Sequence, residues 1–197
     1  LGKGQGEKLS EPSSVQPFLT VVSGLPRSGT SVMMAALAAG GHPVLADHQR
    51  APDEHNPRGY FEHSRVLTLA DQADWLQGQE GKAVKILSHL LRHIPSSVRA
   101  RVLFMRRPLS QVLASQNAML GHHGQDPEVA ALMRRDLAQT LAWLETQEHL
   151  STLQVSYPRL LANPAEQFAA VVDFLGQDLN LAAMAATVDP CLHRQRG

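Results

Sequence analysis

Hydrophobic positions fall into short blocks whose period changes along the chain. Phe18 to Ser23 is a continuous β-favouring run that stops at Gly24, the pattern of a strand buried on both faces. A glycine-bearing turn follows. Ser31 to Ala39, rich in Ala, Met and Leu, then predicts a helix. Pro43 to Leu45 predicts a short second strand. Asp47 to Phe61, with its Pro, Asp, Asn and Gly, predicts a long loop of the kind that serves function or moves. Val66, Leu67, Ala70, Ala73 and Leu76 form an apolar stripe that predicts a helix from Glu62 to Gln77. Ala83 to Leu87 and Arg101 to Met105 are the next strands. Leu109 to Leu120 and Pro127 to His149 have a helical period, the second through Val129, Leu132, Met133, Leu137, Leu141 and Leu144. Leu153 to Val155 predicts a short strand, and Ala165 to Leu175 a helix closed by Gly176 as a left-handed cap.

Strands alternating with helices predict an α/β fold, a mostly parallel sheet flanked by helices on both faces. Leu1 to Pro17 is polar and without hydrophobic period, so it reads as a disordered lead-in or tag remnant. That leaves 18–197 as a single domain, in keeping with a chain of 197 residues.

Charge and composition narrow the function. The 18 Lys+Arg balance 18 Asp+Glu, which excludes a nucleic-acid binder held by a basic surface. The longest apolar run, Val32 to Ala39, is far short of the ~18 residues that span a bilayer. A single cysteine, Cys191, excludes an internal disulfide framework and a multi-thiolate metal site, and implies a reducing, cytoplasmic location.

The most informative stretch is Gly24-Leu25-Pro26-Arg27-Ser28-Gly29-Thr30-Ser31. Two glycines between a buried strand and a helix let the backbone curl until successive N–H groups converge. Those amides and the positive end of the following helix make a site for clustered anionic oxygens, as in a P-loop NTPase-like fold. Thr30 and Ser31 add hydroxyls, and Arg27 adds a planar cationic fork suited to phosphate or sulfate. The spacing is close to GxxxxGK[ST], but Thr30 stands where nucleoside triphosphatases carry Lys. No strand ends in an Asp placed to hold Mg²⁺; Arg101 to Met105 runs straight into Arg106 and Arg107. The phosphate cradle is retained without the triphosphate machinery. Arg107 at the end of that strand and Ser115, eight positions on in the next helix, can approach one anion at the carboxyl edge of the sheet, where ligands of open α/β folds sit; taken alone, the pair reads rather as solvated arginines and a tolerated serine.

Together these elements resemble the sulfotransferases that use 3′-phosphoadenosine 5′-phosphosulfate (PAPS). In that family a PxSGT turn binds the 5′-phosphosulfate end, and an Arg and a Ser bind the 3′-phosphate. Pro26-Arg27-Ser28-Gly29-Thr30-Ser31 matches the first motif, with Arg27 where many cytosolic members have Lys. Arg107 and Ser115 match the second, Arg106 lying one register out. Asn56-Pro57-Arg58-Gly59-Tyr60-Phe61-Glu62, the run Phe104 to Gln116, and Tyr157-Pro158-Arg159-Leu160 with Phe174-Leu175-Gly176 look like blocks of bacterial sulfotransferase-domain proteins. The family's C-terminal glycine- and lysine-bearing phosphate segment has no clear counterpart, Arg194 and Arg196 being its nearest substitutes.

The resemblance implies transfer of a sulfonate from PAPS to the hydroxyl or amine of a small-molecule or carbohydrate acceptor, without a metal. Arg27, the amides of Ser28, Gly29 and Thr30, and the hydroxyls of Thr30 and Ser31 would neutralise charge at the reacting end. The general base is open between His89, after the Ala83 to Leu87 strand, and the carboxylates Glu62 and Glu54. His42, His48, His55, His63 and the pair His122-His123 lack metal-ligand spacing and read as exposed loop histidines. Trp75, Trp143, Met33 and Met34 read as core. Two other functions stay open: a nucleotide-dependent kinase on the same scaffold, which Thr30 opposes, and a non-catalytic nucleotide-binding module.

Overall fold

Leu19–Gly24 forms β1, buried at every position because it runs through the middle of the sheet. The computed structural model describes residues 17–47, 59–120 and 127–188. After β1 come α1 (Thr30–Ala39), β2 (Val44–Leu45), β3 (Ala83–Lys85), β4 (Ala100–Arg106), α2 (Leu109–Leu120), α3 (Pro127–Leu144), β5 (Leu150–Ser156), α4 (Tyr157–Ala162), α5 (Pro164–Leu175) and α6 (Leu181–Ala186). The five strands lie in the order β2-β3-β1-β4-β5, and every pairing is parallel. The α/β fold expected from the alternation of strand and helix is the fold observed.

Helices cover both faces. Val22, Ala83, Leu103 and Met105 pack against Met33, Met34 and Leu37 of α1, Phe168, Val171 and Leu175 of α5, and Met184 of α6. On the other face Val21, Val84, Val102 and Phe104 meet Trp75, Leu76, Leu91 and Leu144 of α3. Alternate strand residues thus feed opposite cores, as a pleat requires. Gly176 closes α5 at φ 55, the left-handed cap its position predicts.

The helix expected over Glu62 to Gln77 is not formed. Two short 3-10 segments, Ser64–Thr68 and Asp74–Leu76, stand there instead. A continuous helix would turn Leu67 inward, whereas Leu67 is 82% exposed and the buried anchors are Val66, Leu69, Trp75 and Leu76. Thr68, Asp71, Asp74 and Trp75 are weak helix formers, and the amides of Asp71 and Gln72 turn back onto the Thr68 carbonyl. Tertiary burial of separate anchors outweighs the local pattern. Helix α3 stops at Leu144, short of His149, and β5 extends well beyond the expected Leu153 to Val155.

Topology fixes where a ligand site can form. From β1 the chain moves through α1 to one side of the sheet, while β4 and β5 lie on the other. The reversal occurs between β1 and β4, whose carboxyl ends are in register, Gly24 beside Met105. A crevice opens at such a switch point. The residues that follow β1 are the glycine turn, and those that follow β4 are Arg107 and Pro108.

Candidate anion site at the sheet edge

Gly24 begins the turn at φ 143, and a Cβ there would lie 2.5 Å from Ser28 Oγ and 2.7 Å from the Met105 carbonyl. Only glycine lets the turn fold back against β4. Arg27 and Gly29 both adopt left-handed conformations, φ 66 and φ 99. For Arg27 this backbone costs about 1–3 kcal/mol and persists only where neighbours hold it. Gly29 is the N-cap of α1 and no side chain caps the helix. The first-turn amides therefore keep their donors for a ligand, with the helix dipole behind them. Ser28 is 1% exposed, and its Oγ has no hydrogen-bond partner among the described residues.

The second element meets the first directly. Arg27 Nε donates to Ser115 Oγ at 3.0 Å, and Ser115 is buried on α2. Arg107 donates from a guanidinium NH to the Arg27 carbonyl at 2.9 Å and from Nε to Gln111 Oε1 at 3.3 Å. Arg107 also lies over the Tyr157 ring, 4.9 Å from its centroid. Burial chiefly holds the Arg107 guanidinium below its ordinary range; the nearby phenol of Tyr157 opposes that shift and the charge of Arg27 adds to it. Two cations share one partly buried corner, which an anion relieves. Pleating sends Arg106 elsewhere: its guanidinium bonds Gln154 Oε1 of β5 at 2.7 Å. Of the two arginines, Arg107 is the one at the turn.

Beside the turn sits a group the sequence reading missed. Lys85, the last residue of β3, is 7% exposed. Its Nζ bonds the Tyr60 carbonyl and Glu62 Oε1, the latter at 3.1 Å. Ser31 Oγ donates to the same Tyr60 carbonyl at 3.3 Å. Ser31, Lys85 and Glu62 are thereby gathered at one edge, through the segment that follows the long loop. A lysine inside the otherwise apolar Ala83-Val84-Lys85-Ile86 run was the available signal. His89 is exposed on the 3-10 segment Ser88–His93. Glu54, His48, His55, His122, His123, Cys191, Arg194 and Arg196, with the Asn56-Pro57-Arg58 part of the loop block, lie outside the described residues.

The histidine reading needs correction at His42, which is 3% exposed and shares a 3.1 Å hydrogen bond through Nε2 with Thr20 Oγ1. It closes the turn after α1, its N–H donating to the Leu37 carbonyl at 2.9 Å. His63 is half-buried and stacks on Trp75, ring centroids 4.9 Å apart. Among the described residues no cluster of three His, Cys, Asp or Glu side chains could hold a metal ion. Met33, Met34 and Trp75 are core, and Trp143 packs partly buried against it.

No family model and no curated protein matches this chain. Solved structures do. The sulfotransferase domain from the curacin biosynthetic pathway superposes with a TM-score of 0.50 at 15% identity, covering 89% of this chain and 79% of that one. An unliganded sugar kinase from Janibacter sp. HTCC2649 covers 90% and 98% at 16% identity, with a TM-score of 0.39 too low to carry an argument. The first likeness establishes the fold and, at that identity, nothing finer. No helix among the described residues is long and apolar enough to cross a membrane.

Proposed function

We propose that this chain is a sulfotransferase that takes PAPS as donor and moves its sulfonate to an acceptor hydroxyl or amine. One contact carries this reading: Arg27 of the glycine turn bonds Ser115 of the Arg107–Ser115 element, so both anion elements line a single corner. A ligand with two anionic groups on one adenosine fits that pairing. The free α1 amides, the unpartnered Ser28 hydroxyl and the two guanidiniums fit such a group.

When bound, PAPS supplies an activated sulfonate and leaves as adenosine 3′,5′-bisphosphate. The amides of Gly29 and Thr30 and the hydroxyls of Thr30 and Ser31 bind the 5′ end; the Ser28 N–H, expected there too, is spent inside the turn on the Leu25 carbonyl at 3.2 Å. Arg27 places positive charge where the leaving phosphate gains negative charge. Arg107 and Ser115 hold the 3′-phosphate. The acceptor proton passes to a base, for which Glu62, gathered beside Ser31 by Lys85, is the better placed; exposed His89 is the second candidate.

Thermal melting of the protein with adenosine 3′,5′-bisphosphate, against Mg²⁺·ATP, tests the reading. A ligand that binds only the folded state raises the melting temperature. The bisphosphate should raise it and ATP should not. A shift with ATP alone would favour the kinase on the same scaffold. A bisphosphate shift without transfer to any acceptor would favour the non-catalytic module.

A further inference from the structure

The Arg27 guanidinium touches α2 at two points one helical turn apart. Its Nε donates to Ser115 Oγ, and its Nη1 points at the sulfur of Met119, 3.8 Å away. Residues four apart share a helix face, so the hydroxyl and the thioether make one seat for the planar fork. The hydroxyl already has a part in the proposed site; the thioether has none. The sequence holds six methionines. Met33, Met34, Met105 and Met184 are at most 1% exposed, sealed in the core under α1, α5 and α6. Met119 and Met133 are half-buried. Of those two, Met119 meets the anion-site arginine, while Met133 lies on α3.

We propose that Met119 is a modification site, at which oxidation of the thioether to the sulfoxide by hydrogen peroxide weakens anion binding through Arg27. The inference rests on Arg27 being a ligand-binding residue, as proposed above. A lone pair of the sulfur attacks one peroxide oxygen; the O–O bond breaks, an S–O bond forms, and the other oxygen leaves as water. The sulfur gives up two electrons and the peroxide takes them. A thioether is a weak acceptor, so a ligand anion draws the Arg27 N–H groups off it at little cost. A sulfoxide oxygen is a strong acceptor placed beside the same N–H, and hydrogen bonds from a charged donor are the strong ones. Arg27 is then held by its own chain, and an incoming anion has to break that bond first. Methionine sulfoxide is reduced back to the thioether enzymatically, so the step is reversible.

The test uses the full chain carrying Cys191→Ser, so that no thiol reacts with the peroxide, and adds Met119→Leu or Met133→Leu to it. Mass spectrometry of fragments after peroxide treatment should find oxygen at Met119 and Met133 well before Met33, Met34, Met105 or Met184. Calorimetric titration of adenosine 3′,5′-bisphosphate and, in parallel, inorganic phosphate should then show about tenfold weaker binding by the treated Met133→Leu chain. The treated Met119→Leu chain should bind as it does untreated. Methionine sulfoxide reductase with a dithiol should restore the Met133→Leu chain. Unaltered affinity with Met119 fully oxidised would overturn the proposal. An equal loss in treated Met119→Leu would overturn it too, as would oxidation of Met119 only together with the core methionines. Binding of phosphate but not of the bisphosphate by the untreated chain would remove the nucleotide reading alone, and the same comparison with phosphate would then decide the role of Met119.

Discussion

Arg27 Nε and Ser115 Oγ lie 3.0 Å apart although 88 positions separate them in the chain. The glycine turn after β1 and the helix after β4 meet there because β1 and β4 are neighbours at the point where the chain reverses direction across the sheet. Removing either partner should loosen the corner. Arg27→Ala should abolish measurable bisphosphate binding. Ser115→Ala, which leaves the charge in place, should weaken it about tenfold, within the range of a hydrogen bond to a charged group. Titration calorimetry reads both. A bisphosphate affinity unaltered in Arg27→Ala would remove that arginine from the site.

Gly24→Ala should damage the fold as well as the site. Its Cβ would press on the Met105 carbonyl, which belongs to the sheet and has no easy retreat, from a backbone at φ 143. A cost of at least about 1–3 kcal/mol follows from the backbone alone. Urea unfolding measures it, and a midpoint equal to the parent's would show that the turn is laxer than its geometry.

The strand–turn–helix unit was legible in the sequence because three signals coincide: an unbroken apolar run, glycines at Gly24 and Gly29, and helix formers from Ser31 onward. The segment after Glu62 misled because Val66, Leu67, Ala70, Ala73 and Leu76 recur at helical spacing, whereas the two 3-10 turns bury Val66, Leu69, Trp75 and Leu76. The exposure of Leu67 is decided by what packs on its neighbours. Edge strand β5 was read short because apolar alternation is limited to Leu153 and Val155, while Ser151, Thr152, Gln154 and Ser156 pair with β4 as polar residues. Lys85 was overlooked because its partners, Tyr60 and Glu62, arrive from a distant part of the chain.

Acid should weaken the fold through His42. Burial holds the His42 imidazole below its ordinary 6.5, and a hydrogen bond with Gln177 opposes that in part. As pH falls through about 6.5 the unfolded chain takes up this proton while the folded chain does not. The contribution is whole above that pH and is lost progressively below it. His42→Gln should lessen the decline of the urea midpoint between pH 7.5 and 5 relative to the parent. Parallel declines in both proteins would assign the effect to other groups.

Arg101 pins the end of α5 to the sheet. It donates to the Phe174 carbonyl at 2.7 Å, and its guanidinium lies 4.2 Å from the Phe18 ring centroid. Arg101→Met keeps the stem but loses the charge-assisted bond, at a cost of about 2 kcal/mol. Ligand affinity should not change, because this contact is near the amino edge of the sheet, opposite the turn. Reduced bisphosphate binding at unaltered stability would contradict that separation.

Glu62→Gln and His89→Ala separate the candidate bases. Transfer by Glu62→Gln should fall by about 10²-fold or more, the usual scale for losing a positioned base. His89→Ala should keep its rate and its pH profile. The reverse pattern would move the base to the exposed 3-10 segment.

A single comparison bears most directly on whether one adenylate spans both anion elements: the affinity of adenosine 3′,5′-bisphosphate relative to adenosine 5′-monophosphate, in the parent and in Arg107→Ala. The parent should prefer the bisphosphate strongly, and Arg107→Ala, which removes the guanidinium proposed to hold the 3′-phosphate, should bring the two ligands close to equal. No preference in the parent, or one that survives unchanged in Arg107→Ala, would contradict the account.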